Sequence, residues 1–165
     1  MALDATIGGA SADSNVSVAD ADTYWTTRPN FAAWDALTTA NKERSLKWAT
    51  RLLDQTYTWN GGPVTTTQAL RWPRSGTWDR DGDSYATTII PQEVKDATAE
   101  FANLLAASDR YADPGTAGFS EIKVGPITLK IDPSDRVEEV PFFIRQMLEH
   151  LGTKYSSSSV KLVRT

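Results

Sequence analysis

The feature that most constrains the fold is a stripe of apolar residues with helical period between residues 40 and 57. Its members recur at spacings of three and four, so on an α-helix they would share one face: Leu46, Ala49, Leu52, Leu53 and Tyr57. Thr38 or Thr39 can cap this helix at its N-terminus, and the sequence Asn60–Pro63 stops it. The pattern therefore predicts a long helix with one buried face.

Three further helices are predicted along the chain. The first runs from Val18 to Thr27 behind the N-cap Ser17, and another runs from Pro91 to Asp109, because proline favours the first helical position. The last runs from Pro141 to Leu151, with Gly152 expected as a left-handed cap. The apolar face of the second long helix has five members: Val94, Ala97, Phe101, Leu104 and Leu105.

The apolar period changes to two between residues 122 and 131. Apolar residues alternate with polar ones on both sides of Gly125-Pro126, which predicts a small strand pair or bent ribbon. The fold class is therefore mainly α: a small helical bundle of about four helices with a minor β-hairpin or ribbon and an extended C-terminal tail. We divide the chain into a helical domain at 1–152, with an extended N-terminal arm, and a flexible tail at 153–165.

Composition excludes several classes of site and partner. The chain of 165 residues contains no cysteine, which excludes disulfides, thiol catalysis and thiolate zinc sites. No apolar run approaches the ~20 residues of a membrane span, and no signal peptide is visible, which fits assembly in the cytoplasm. A net charge of -4 does not favour broad binding to phosphate backbones.

No catalytic residue, metal site or cofactor is predicted. His150 is the only histidine and falls at the end of the last helix, where a cation would favourably meet the helix dipole. The triplet Asp79-x-Asp81-x-Asp83 resembles a calcium loop, but the glycine and glutamate that such a loop needs are displaced or missing. We therefore expect a protein that is not an enzyme.

The Asp81-Gly82 dipeptide predicts a two-residue hairpin turn instead of a metal loop. That turn would place Arg80 beside Asp83, and Trp78 beside Tyr85.

The tryptophan-rich stretch 68–83, QALRWPRSGTWDRDGD, permits two interpretations. Arg71, Trp72 and Arg74 could form a positive platform on which single-stranded bases stack. Alternatively, Trp72 before proline wedges a turn against the core. Trp25, Trp34 and Trp48 have neighbours typical of core positions, and we expect five of the six tryptophans to be packed inside.

Several segments together resemble a single family. They are Asn15–Tyr24 (NVSVADADTY), Leu46–Trp59, Gln68–Gly76 (QALRWPRSG), Ile90-Pro91 and Val124–Ile127 (VGPI). This combination is similar to the head–tail connector, or adaptor, proteins of tailed bacteriophages, some of which are labelled DnaT-like single-stranded-DNA-binding proteins. The resemblance covers about residues 14 to 151.

The resemblance implies a structural virion protein of the neck, at the head–tail interface, assembled in the host cytoplasm. It implies a dodecameric ring under the portal protein, which prolongs the channel so that double-stranded DNA passes without sequence-specific binding. A tail-side stopper, terminator or nozzle protein would follow below, and no membrane or cofactor is involved. The Trp-Pro-Arg stretch would be a structural joint that offers a loop to a neighbouring subunit through Arg71, Trp72, Arg74, Trp78 and Arg80.

The second label implies an alternative, a DnaT-like replication accessory protein that binds single-stranded DNA. Such a protein should display a positive groove, so the acidic net charge favours the conduit.

The C-terminal tail is basic on an acidic protein. Ser156–Ser159 form a flexible linker, and an alternating segment follows it. We expect this segment to dock as an edge strand on the portal or on a neighbouring subunit, through Val160, Lys161, Leu162, Val163 and Arg164. A disordered terminus is the alternative.

Overall fold

The computed structural model describes residues 2–110 and 138–155, and the backbone of two strands at 121–124 and 127–130. Five helices lie in these ranges: α1 (Val18–Thr26), α2 (Ala32–Asp35), α3 (Thr39–Thr56), α4 (Gln92–Ala107) and α5 (Phe142–Leu148). Six short strands accompany them: β1 (Tyr57–Trp59), β2 (Gly62–Pro63), β3 (Arg74–Ser75), β4 (Glu121–Val124), β5 (Ile127–Lys130) and β6 (Gly152–Lys154). The mainly α class is confirmed.

The packing of α3 against α4 forms the centre of the molecule. The side chain of Thr38 caps α3 by accepting a hydrogen bond from the Asn41 N–H at 3.3 Å. All five residues of the predicted α3 face are buried, from Leu46 to Tyr57. On α4, Val94, Ala97 and Phe101 are buried, while Leu104 and Leu105 are partly buried against the same core. Periodicity therefore identified both faces correctly.

The predicted first helix is confirmed as α1. Ser17 is its N-cap, and its hydroxyl accepts a hydrogen bond from the Asp20 N–H at 3.1 Å. Buried Trp25 on this helix stacks against Trp34 of α2, with ring centroids 6.0 Å apart.

The last helix is shorter than the sequence predicts, because the chain enters a strand. Helix α5 ends at Leu148, and Gly152 lies in β6 instead of forming a left-handed cap. Strand β6 pairs antiparallel with β1, and Thr58 faces Thr153. A side chain at position 152 would lie 2.9 Å from the Thr58 carbonyl oxygen, so close strand packing requires this glycine. Residues 153 and 154, which we assigned to the tail, belong to this strand.

The predicted ribbon exists as the antiparallel pair of β4 and β5, in which Val124 faces Ile127. The third ladder, β2 with β3, is only two residues long and closes the turn after β1. Strands this short carry no periodic signal, which is why the sequence did not reveal β1, β2, β3 or β6.

The Asp-Gly hairpin is present with a different register. Trp78 pairs with Ser84 instead of Tyr85, and the Asp79 N–H donates to the Asp83 carbonyl at 2.8 Å. The Asp79 carboxylate accepts hydrogen bonds from two backbone N–H groups within the turn, and Gly82 has a φ of 92°. These bonds favour a three-residue loop with glycine in the left-handed position, so the predicted two-residue turn is wrong.

Four of the six tryptophans lie in the core, and two are exposed. Trp25, Trp34, Trp59 and Trp72 are buried, whereas Trp48 is 41% and Trp78 is 55% exposed. The expected core position of Trp48 is wrong because it lies two residues after Leu46, about 200° around the helix from that core residue. In the described ranges, none of the helices has both the length and the apolar character needed to span a bilayer.

We predict that Gly61→Ala destabilises the protein much more than Gly82→Ala. Both glycines have positive φ, but a Cβ at position 61 would lie 2.0 Å from the Ser75 carbonyl oxygen, whereas a Cβ at position 82 meets nothing within 4 Å. Gly82→Ala should cost about 1–2 kcal/mol, the conformational term alone. Chemical denaturation measures both variants, and equal losses would contradict the close approach of the two turns.

Candidate functional site

The Trp-Pro-Arg motif forms an internal joint between the end of α3 and the segment before α4. Trp72 is 1% exposed, and its peptide bond to Pro73 is cis. The Trp72 ring meets Trp59 edge-on at 5.5 Å, and Trp59 stacks on Tyr57 at 5.1 Å. These ring contacts join the Trp-Pro-Arg motif to β1.

The Arg74 side chain holds this joint together by donating hydrogen bonds to backbone carbonyls of neighbouring residues. Its Nε donates to the Asn60 carbonyl at 2.6 Å, and one Nη2 bond reaches the Gly61 carbonyl at 2.8 Å. Further bonds reach the carbonyls of Arg71 at 3.1 Å and Trp59 at 3.4 Å. Burial lowers the pKa of Arg74, and the nearby Arg71 charge lowers it further. The guanidinium fork thus joins the turn after β1 to the segment at Arg71, and it supplies a donor to the buried Trp59 carbonyl.

Asp54 connects α3 to the same joint. Its carboxylate accepts hydrogen bonds from Trp59 Nε1 at 3.1 Å and from the Arg71 N–H at 3.2 Å. Burial raises the pKa of Asp54 to about 6, although the two hydrogen bonds act in the opposite direction. This carboxylate therefore has a structural role.

The residues assigned to the inter-subunit loop do not share one environment. Trp72 and Arg74 are buried inside this chain, and the contact with a neighbour that was expected of them stays a prediction. Arg71, Trp78 and Arg80 are exposed, and their contact with a neighbour stays a prediction. The proposed docking segment Val160–Arg164 lies outside the described residues.

A cleft of about 910 Å³ runs between α3 and the loop before the joint, and we call it the α3 cleft. Cations and carboxylates both line it: Lys47, Arg51 and Arg71 with Asp13 and Asp54. Lys47 pairs with Asp13 at 2.6 Å, which reduces the local positive charge. Exposed Trp48 lies beside the cleft, and the Arg51 guanidinium is 5.8 Å from its ring centroid.

Exposed aromatic side chains also occur on α5, after β6 and on the hairpin attached to α5. We call this region the α5 surface. Phe142 is 61% and Tyr155 is 68% exposed, and both flank the ends of α5 and β6. The exposed hairpin of Trp78 is attached to it, because Arg80 Nη2 donates to the Gln146 carbonyl at 2.7 Å. Sequence reasoning missed this surface, since Phe142-Phe143 at a helix start resembles ordinary core residues.

The α5 surface contains a cleft of about 600 Å³, the α5 cleft. Helix α5 and strand β6 supply most of its lining: Tyr57, Phe142, Arg145, Gln146, Glu149, Gly152, Thr153 and Lys154.

His150 takes part in a small polar cluster with two other residues. The Tyr85 hydroxyl donates to Glu93 at 3.1 Å and lies 3.5 Å from His150 Nε2. Burial, with the Glu93 contact, raises the pKa of Tyr85 to about 12. Within the described ranges, no group of three or more His, Asp or Glu side chains is placed to hold a metal ion.

We predict that Arg74→Lys destabilises the fold, whereas Arg71→Lys does not. A lysine ammonium cannot reach all the carbonyls that the guanidinium fork bridges, so the two turns would lose bonds and the buried Trp59 carbonyl would lose its partner. We expect a loss on the order of 2–4 kcal/mol for Arg74→Lys and less than about 0.5 kcal/mol for exposed Arg71→Lys. Urea unfolding measures both, and a neutral Arg74→Lys would show that the cradle is dispensable.

The whole chain, residues 1–165, matches the family described as "Putative DnaT-like ssDNA binding protein". No curated protein and no solved structure matches the chain. The match extends over the helical core, the Trp-Pro-Arg joint and both clefts, so the chain belongs to the family described as "Putative DnaT-like ssDNA binding protein".

Proposed function

We propose that this chain is a structural virion protein, a head-to-tail adaptor that forms a ring under the portal of a tailed bacteriophage. The observation that carries the proposal is the α5 surface. Exposed aromatic groups occur at the start of α5, directly after β6, and on the hairpin that the Arg80–Gln146 bond attaches to α5. Large exposed aromatic groups of this kind are typical of protein–protein contacts.

The role of the Trp-Pro-Arg motif supports an assembly protein over a motif-based DNA platform. Base stacking needs exposed rings and free cationic groups. Trp72 is buried, and the Arg74 guanidinium bonds to backbone carbonyls. This motif, one of the segments that carry the sequence resemblance, thus serves the interior of the fold. The net charge of -4 also suits a channel wall along which double-stranded DNA slides.

A second candidate function is binding of single-stranded DNA, and the family description supports it more directly than it supports the adaptor. The α3 cleft would be the binding surface. Trp48 offers one exposed ring with Arg51 beside it, and Arg71 adds a second cation to the cleft lining. Asp13 and Asp54 on the same cleft oppose a phosphate backbone, which is why we place this function second.

The adaptor proposal predicts that the α5 surface is needed for attachment to the portal. Purified chain mixed with portal should form rings on the portal in negative-stain images. Phe142→Ser should reduce attachment at least tenfold in co-sedimentation, because it removes the most exposed phenylalanine of this surface. Phe31→Ser, which removes an exposed ring beside α2, is the matched control and should attach normally. Normal attachment of Phe142→Ser would count against the assigned surface.

The DNA candidate makes a different prediction, which fluorescence anisotropy with an oligonucleotide can test. If the chain is an adaptor, binding to single-stranded DNA at physiological salt should be weaker than micromolar, and Trp48→Ala should not change it. Trp78→Ala serves as the control, because Trp78 is exposed on the hairpin, whereas the Trp48 ring lies against Arg51 of the α3 cleft. Submicromolar binding that is lost in Trp48→Ala and kept in Trp78→Ala, with unchanged melting temperatures, would establish the DNA candidate.

A further inference from the structure

The turn after β1 contains the one asparagine of the sequence that precedes a glycine. Asparagine occurs at five positions, and Asn60 alone is followed by glycine, at Gly61. The side-chain amide carbon of an asparagine is open to attack by the peptide nitrogen of the next residue. Glycine leaves that nitrogen unshielded, because it has no side chain. Asn60 is exposed, so water can reach the same peptide. This turn therefore has the chemistry of spontaneous deamidation.

Four hydrogen bonds hold the same peptide in one conformation. The Asn60 N–H donates to the Leu151 carbonyl at 2.9 Å, and Asn60 Nδ2 donates to the His150 carbonyl at 2.9 Å. On the other side, Arg74 Nε donates to the Asn60 carbonyl at 2.6 Å, and Arg74 Nη2 donates to the Gly61 carbonyl at 2.8 Å. Cyclisation needs a specific rotation of Asn60 that brings its Cγ to the Gly61 nitrogen. Bonds on both sides of the peptide restrict that rotation.

We propose that Asn60 is a deamidation site whose reaction is restrained by the Trp-Pro-Arg joint. The Gly61 nitrogen forms a bond to Asn60 Cγ, the Cγ–Nδ2 bond breaks, and ammonia leaves with the proton of the Gly61 N–H. Water then opens the cyclic imide at either carbonyl, which gives aspartate or isoaspartate. One water is consumed and one ammonia is released, without an oxidant or a reductant.

The product is incompatible with the contacts of the joint. Deamidation replaces the Nδ2 donor by a carboxylate oxygen, which accepts hydrogen bonds and cannot donate to the His150 carbonyl. Isoaspartate also inserts a methylene into the main chain between the two carbonyls that Arg74 binds. The turn has little room for it, since a Cβ at Gly61 would lie 2.0 Å from the Ser75 carbonyl oxygen. We therefore expect the modification to weaken the joint from which β1 is held.

Peptide mapping by mass spectrometry, with aspartate and isoaspartate separated by chromatography, tests the proposal on the full chain at mildly alkaline pH. The reference within each sample is Asn30, which is exposed and precedes Phe31. In guanidinium chloride, Asn60 should deamidate at least tenfold faster than Asn30. In the folded chain, Asn60 should deamidate at least tenfold more slowly than in denaturant. No excess over Asn30 in denaturant would overturn the site, and equal rates at Asn60 with and without denaturant would overturn the restraint.

Arg74→Lys separates the effect of the joint from that of overall stability. Leu46→Ala is the matched control, because it removes a buried side chain of the α3 face that makes none of the bonds around Asn60. Under conditions in which urea unfolding gives both variants the same folded fraction, Arg74→Lys should deamidate at Asn60 at least fivefold faster. Equal rates would overturn the part assigned to Arg74.

Asn60→Asp makes the aspartate product directly and tests the damage without waiting for the reaction. Its urea midpoint should be lower than that of the natural chain, because the His150 carbonyl loses its donor. An unchanged midpoint would overturn the expected damage from the lost amide. Neither portal nor DNA enters these measurements, so their outcome is independent of the proposed function.

Discussion

The buried guanidinium of Arg74 is the interaction on which the arrangement of the surfaces depends. Four carbonyl oxygens of two separate turns converge on it, from residues 59–61 and from Arg71. Without this cation the buried Trp59 carbonyl would lose a hydrogen-bond partner, and the two turns would lose the bonds that join them. Arg74 therefore holds the end of β1 in place, and β1 in turn holds β6 through their antiparallel pairing.

This chain of contacts explains how a buried motif can position the surface that we propose binds a partner. Strand β6 forms one wall of the α5 cleft, and α5 forms the other. The hairpin after the joint reaches the same helix, where Arg80 satisfies the Gln146 carbonyl. The motif QALRWPRSG thus supports the α5 surface from inside. Asp54 links the same joint to α3, and it thereby fixes one side of the α3 cleft.

The elements that could be predicted from the sequence are helices whose apolar repeat continues over several turns or whose N-terminus has a local capping residue. The buried faces of α3 and α4 repeat over several turns, and Ser17 and Thr38 cap their helices through bonds to residues three positions later. Strands β1 and β6 could not be predicted, because their pairing joins residues about a hundred positions apart and each is three residues long. The exposure of Trp48 follows from its position on the helix, which residue type alone does not reveal, whereas the burial of Arg74 depends on tertiary packing.

Hydrogen–deuterium exchange of the full chain tests the central claim most directly, by showing which surface a partner covers. The chain would be measured alone, with portal protein and with a single-stranded oligonucleotide. The adaptor account predicts that portal slows exchange across α5, β6 and the hairpin at residues 78–84, while the oligonucleotide changes nothing. Slower exchange along α3 and residues 63–71 with the oligonucleotide, and no change with portal, would contradict the account.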